Sequence, residues 1–126
     1  MNVKVTRGNE VVPVVWIIDP DQWPRAMLRA ELIERGIDAV GYLRLAEALA
    51  HLGARFPDLI VVDVREMTRE EIADLFKVGV PVIGIVGIPE PPWLAEFKWA
   101  VLLRRPVSIG EIAAVILSRA DGEGSR

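Results

Sequence analysis

The chain has no cysteine, which excludes a disulfide framework and any thiolate metal site. Amides are almost as scarce, with Asn2, Asn9 and Gln22 the only ones, while Arg, Glu, Ala and Leu are plentiful. That bias suits a thermophile or a GC-rich genome. One histidine is present, His51, and no Ser or Cys partner can be named for it, so it offers no nucleophile–base pair and is given no role. Cationic clustering is also missing. The 15 Lys and Arg residues are outnumbered by 18 Asp and Glu, the net charge is −3, and only Arg104-Arg105 stand together. A chain without a basic stripe cannot neutralise a phosphate backbone, so nucleic acid is not an expected partner. Although 52% of the residues are hydrophobic, Pro, Gly or a charge interrupts every run before the ~20 residues a membrane helix needs. The first ten residues, MNVKVTRGNE, lack the apolar core of a secretory signal, so no membrane and a cytoplasmic location are expected. At 126 residues the length suits one domain, burying on the order of 70% of its unfolded surface.

What is present is a set of apolar, β-branched runs: Val11–Ile18, Leu59–Val62, Val80–Val86 and the less distinct Ala100–Leu103, with Ile37–Leu43 as a weaker fifth. They lack in-out alternation, as parallel strands covered on both faces require. Helical spacing fills the intervals. Pro24–Arg35 is closed by Gly36 and opened by Asp21 as an N-cap, and Leu45–Leu52 is stopped by Gly53. Thr68–Val78 begins with a Thr68-x-x-Glu71 capping box. Ile109, Ile112, Ala113 and Ile116 form the apolar stripe of a last helix. The order β-α repeated five times predicts an α/β fold, a parallel sheet with helices on both faces and right-handed crossovers. Residues 1–10 form an extension, with a short strand and turn at Val3–Glu10 that is either disordered or paired on another chain. Residues 11–119 form the domain, and the polar, glycine-rich residues 120–126 are expected to be a flexible tail.

Two of these runs end on acids. VVWIIDPD closes with Asp19 and Asp21, and LIVVD closes with Asp63. In an open parallel sheet the ligand site lies beyond the carboxyl ends of the strands, where strand order reverses. If the first and third strands are neighbours, ~4.8 Å apart, Asp19 and Asp63 share one pocket. An oxygen-only acidic cluster suits a hard cation such as Mg²⁺, beside which a carboxylate acts as a nucleophile toward phosphorus.

With these pieces the chain resembles a response-regulator receiver domain, the phosphoacceptor module of two-component phosphorelay signalling. IIDPD matches the acidic end of the first strand and PDLIVVDV (Pro57–Val64) the phosphoacceptor strand. PVIGIVG (Pro81–Gly87) matches the fourth strand, LLRRPVSIGEI (Leu102–Ile112) the fifth strand and its Lys-Pro turn, and EAL (Glu47–Leu49) the second helix. The resemblance spans about residues 12 to 119. It implies a flavodoxin-like, doubly wound five-stranded sheet of order 2-1-3-4-5, Asp63 as phosphoacceptor, Asp19 as one of the acids that hold Mg²⁺, and Arg105 in the place of the family's lysine; Asp21, displaced by one residue, is the candidate substitute for the second acid.

Departures from the family pattern are concentrated in the relay. The family has two adjacent acids at the end of the first strand, and Pro20 fills the second place, removing a direct metal ligand. Val86 stands where the family has a phosphate-binding hydroxyl, and Leu102 where it has an aromatic switch residue. Arg105 is a planar fork rather than a point charge. The interval from Asp63 to Val86 is shorter than the family's by roughly two helical turns, and the proline-rich Ile88–Trp93 leaves room for only a stub of helix. The third and fourth helices are therefore expected to be shortened.

Asp21 reads as a helix N-cap as well as a candidate ligand, and Arg104-Arg105-Pro106 as an anion site or a solvated turn. Trp93, Phe97 and Trp99 border the altered fourth helix, where core packing and a partner surface are both open readings. Val115 and Leu117, off the stripe of the last helix, point to a homodimer. The expectation is a stand-alone, degenerate receiver-like protein, a pseudo-receiver that is not an enzyme and acts on a protein partner, kinase or downstream protein, with weak or no phosphorylation. The competing expectation is a working single-domain response regulator modified on Asp63 with Mg²⁺. A small α/β enzyme or flavodoxin-type flavin carrier is the third, but PDQWP offers no Ser/Thr/Gly loop for a flavin phosphate.

Overall fold

The computed structural model describes residues 6–7 and 10–124. Its main sheet comprises β3 (Val14–Ile18), β4 (Asp38–Tyr42), β5 (Leu59–Asp63), β6 (Val82–Val86) and β7 (Val101–Arg104), all parallel, in the order β4-β3-β5-β6-β7. Counted within that sheet the order is 2-1-3-4-5, the expected flavodoxin-like arrangement. The helices are α1 (Gln22–Glu34), α2 (Leu45–Ala50), α3 (Arg69–Phe76) and α4 (Ile109–Gly124).

The β-branched runs form strands because both of their faces are covered. Along β3, Val14, Trp16 and Ile18 enter one core cluster and Val15 and Ile17 the other. The first cluster packs under α2 and α3 through Leu45, Ala48, Ile72 and Leu75. The second packs under α1 and α4 through Leu28, Leu32, Ile112 and Ile116. Each such Leu or Ile stabilises the fold by about 1.5–3 kcal/mol through burial. The central Trp16 is fully buried, and its indole N–H donates to the Arg55 carbonyl at 2.8 Å.

Several boundaries differ from expectation. The first core strand begins at Val14 rather than Val11. Pro13 has no N–H to extend the ladder, although its carbonyl accepts from the Asp38 N–H at 2.9 Å. Val11 belongs instead to a two-stranded antiparallel ribbon of β1 (Thr6–Arg7) and β2 (Glu10–Val11). The segment thus pairs within its own chain; Val3–Val5 of the expected strand lie outside the described residues. The fourth β-α repeat is incomplete, because β6 is followed only by a single 3₁₀ turn, Leu94–Glu96. The last helix runs to Gly124, through much of the expected flexible tail. No proline interrupts it, each added residue adds a hydrogen bond, and Arg119 ties it to the Ala100 carbonyl at 2.9 Å.

The missing fourth helix is replaced by aromatic packing. Phe76 stacks on Phe97 with centroids 5.2 Å apart and meets Trp99 edge-on at 5.1 Å. Trp99 donates from its indole to the Leu94 carbonyl at 2.9 Å and lies over Gly84 of β6, where an added Cβ would stand 2.8 Å from the ring. Phe97 and Trp99 therefore pack inward against the first core cluster. Of the three aromatics read as a candidate partner surface, only Trp93 also faces the groove described below.

Candidate functional site

Register brings the two acids together. Ile18 and Val62 are partners in adjacent parallel strands, so Asp19, directly after β3, and Asp63, the last residue of β5, emerge side by side at the carboxyl edge. Both are buried, Asp19 5% exposed and Asp63 1%. Each turns the chain in the same way. Asp19 Oδ1 accepts from the Asp21 N–H at 2.8 Å, and Asp63 Oδ1 from the Arg65 N–H at 2.9 Å, the side-chain-to-backbone bond two residues on that Asp favours in turns.

Two guanidinium groups neutralise the pair. Arg65 places Nε 3.0 Å from Asp63 Oδ1 and Nη2 3.2 Å from Asp19 Oδ1, so one side chain spans both carboxylates. Arg105, which follows β7, donates to Asp63 Oδ2. Behind them Arg25 of α1 donates to the Asp19 carbonyl at 2.7 Å. Burial pushes the Asp19 carboxyl up from its ordinary value; the Asp21 N–H opposes this, the neighbouring Asp63 adds to it, and Arg65 and Arg105 relieve it. The hydrogen bond to Asp63 raises Arg65, which stays charged.

The remaining sequence-derived candidates separate. The Asp21 carboxylate is at the start of α1, accepting from the Trp23 N–H at 3.3 Å. Val86, at the end of β6, is buried in the first core cluster and presents methyl groups. Leu102 is half-buried against the same cluster. Arg104 points to the surface and pairs with Glu90 at 2.6 Å, so the Arg-Arg pair is divided between solvent and pocket. His51 is exposed, donates from Nδ1 to the Glu47 carbonyl at 2.9 Å and stacks on Tyr42 with centroids 5.6 Å apart.

Arg65 escaped the sequence reading. The signal available for it was a cation two residues beyond a strand-end acid, the spacing at which an Asp-centred turn folds the chain back. Glu66, next in line, has a left-handed φ of 61° and continues that reversal.

Beside the acids a groove of about 1000 Å³ opens between the loops after β5, β6 and β7. Arg65 and Arg105 lie at one side of it, and Met67, Ile88, Pro89 and Trp93 form apolar walls. Ile88 is 94% exposed. Among the described residues no helix is long and apolar enough to cross a membrane.

No protein-family model matches the sequence, and no curated protein matches it significantly. Solved structures do match in three dimensions. A CheY-like response-regulator receiver domain from Methanospirillum hungatei JF-1 superposes with a TM-score of 0.76 at 16% identity, over 90% of this chain and 98% of its own. The signal receiver domain of a LuxO repressor protein from Vibrio parahaemolyticus gives 0.72 at 16% identity, over 90% and 95%. A response-regulator receiver protein from Pseudomonas putida gives 0.72 at 21% identity, over 85% and 97%. The chain has the receiver fold. Within that fold Asp63 stands at the end of the third strand of the sheet and Asp19 just past the first, as the resemblance implied. The third helix is cut to Arg69–Phe76 and the fourth to a 3₁₀ turn.

Proposed function

We propose that the chain is a receiver-like signalling protein of the two-component type that acts by binding a protein partner, with little or no phosphoryl transfer through Asp63 and no catalysis of its own. The observation that carries this reading is the state of the Asp63 carboxylate. One oxygen accepts from the Arg65 backbone and side chain, the other from Arg105, and the residue is 1% exposed. A carboxylate that attacks phosphorus needs an oxygen lone pair in line with the donor and a cationic frame for the transferred group. Here three of the roughly four lone-pair sites of the carboxylate are already committed. Val86 supplies no hydroxyl to a phosphoryl group, and Leu102 no ring to relay its arrival. The groove beside the pocket supports the partner-binding half, because the exposed Ile88 and the Trp93 ring offer apolar surface next to Arg65 and Arg105. Aromatic and Arg side chains are the types that anchor protein contacts.

A second reading, a response regulator phosphorylated on Asp63, is favoured by one observation: Asp63, Asp19 and the cationic Arg105 converge at the strand ends. Incubation with acetyl phosphate and Mg²⁺, followed by intact-mass measurement of the wild type and Asp63→Asn, separates the two. The expected result is no mass gain in either protein. A stoichiometric gain that disappears in Asp63→Asn assigns the second reading. Sedimentation velocity distinguishes a second copy of this chain from a different protein as the partner.

A further inference from the structure

A resident divalent cation does not fit the donor set of this pocket. Of the two candidate Mg²⁺ ligands, Asp19 lies beside Asp63, while Asp21 holds the N-terminus of α1. Among the described residues no group of three or more His, Cys, Asp or Glu side chains is arranged to hold an ion. The place a cation shared by Asp19 and Asp63 would take, touching one oxygen of each, is filled by the Arg65 guanidinium.

We propose that Arg65 is the built-in counter-cation of the acid pair and sets its specificity by excluding divalent metal ions. Mg²⁺ requires oxygens at about 2.0–2.1 Å in a near-octahedral shell. Asp63 Oδ1 already accepts two N–H groups from Arg65, and Asp19 Oδ1 accepts from Asp21 and Arg65. An entering dication would have to displace these donors while sitting against a fixed positive charge, and that repulsion is strong where water screens poorly. The backbone holds Arg65 in this position, since its own N–H binds the oxygen that its side chain binds, and Glu66 turns the chain back with φ 61°. The Arg65 side chain is 43% exposed against 0% for Asp63. It reaches solvent, while the two carboxylates it holds are buried. Arg65 acts through the carboxylates it holds; it is a positioning and specificity residue.

The inference rests on the acid-pair geometry behind the proposed function, but its experiment reads cation binding rather than phosphorylation, so either can fail alone. The full chain is titrated with Mn²⁺, followed by paramagnetic broadening of amide resonances around residues 19 and 63, and with Mg²⁺ by calorimetry. The wild type is expected to show no saturable binding at millimolar metal. Arg65→Ala is expected to bind on the order of tenfold more tightly or better, the scale expected when a like charge is removed from contact. Arg65→Lys, which keeps the charge, stays as weak as the wild type, and Arg65→Ala combined with Asp63→Asn loses the gain. If Arg65→Ala does not fold, the neutral and longer Arg65→Gln takes its place with the same expectations. Equal binding by wild type and the neutral variant, or a gain that survives Asp63→Asn, overturns the proposal.

Discussion

Asp19 and Asp63 are one pair in register and two residues in chemistry. Asp63 has an arginine on each oxygen, whereas Asp19 shares Arg65 through a single 3.2 Å contact and relies on a backbone N–H for the rest. Burial dominates at Asp19 and raises its pKa above the ordinary carboxyl value. A group that holds its proton more tightly when folded gives the folded state more bound protons than the unfolded state across that window, so its contribution falls as pH rises. It is fully present below the ordinary carboxyl range and is lost once the pH has passed the raised value. Asp19→Asn fixes the neutral form. The Tm of the variant relative to wild type is therefore expected to be lowest in acid, to climb through the window between the two values and to level off above it, as a series of thermal melts across pH would measure. A difference independent of pH would mean that Asp19 titrates normally. Its position at a strand end was legible in the sequence, because an apolar run that stops on an acid marks that place. The identity of its cation was not, since Arg65 reaches it only through a turn.

At the scale of elements, capping and periodicity were written locally and held. Thr68 Oγ1 accepts from the Glu71 N–H at 3.1 Å, and Asp21 and Gly36 bracket α1 as expected. Ser108 and Glu111 form a further reciprocal cap at the start of α4 that the sequence also contained. The replacement of the fourth helix was a matter of fit between distant residues. Gly84 leaves β6 without a side chain on the face that Trp99 covers. Gly84→Ala is expected to cost about 1–3 kcal/mol, because a methyl group 2.8 Å from the indole forces the ring out of its place. Adding Trp99→Leu should recover part of that loss. Urea denaturation of the single and double variants measures both, and strict additivity would show that the two sites do not touch.

For the whole molecule, the two core clusters lie on opposite faces of the same central strands β3, β5 and β6. Loss of either layer exposes one face of the sheet on which the other layer depends, so unfolding should be a single cooperative transition. Ile72→Ala under α3 and Ile116→Ala under α4 remove fully buried side chains from opposite layers. Each is expected to lower global stability by about 2–5 kcal/mol. Circular dichroism and tryptophan fluorescence should report coincident midpoints in both variants. Separated midpoints in either would mean that the layers unfold independently.

The sequence by itself determined the class of the fold, the strand order through the resemblance, and the placing of both acids at strand ends. These follow from unbroken β-branched runs, helix caps and turn residues, signals that act over a few neighbours along the chain. Tertiary structure alone decided which cation meets the acids, what covers β6 and what anchors the last helix. Each of those depends on side chains that meet across loops, Arg65 with Asp19, Trp99 with Gly84 and Arg119 with the Ala100 carbonyl, and such contacts leave no periodic trace in the order of residues.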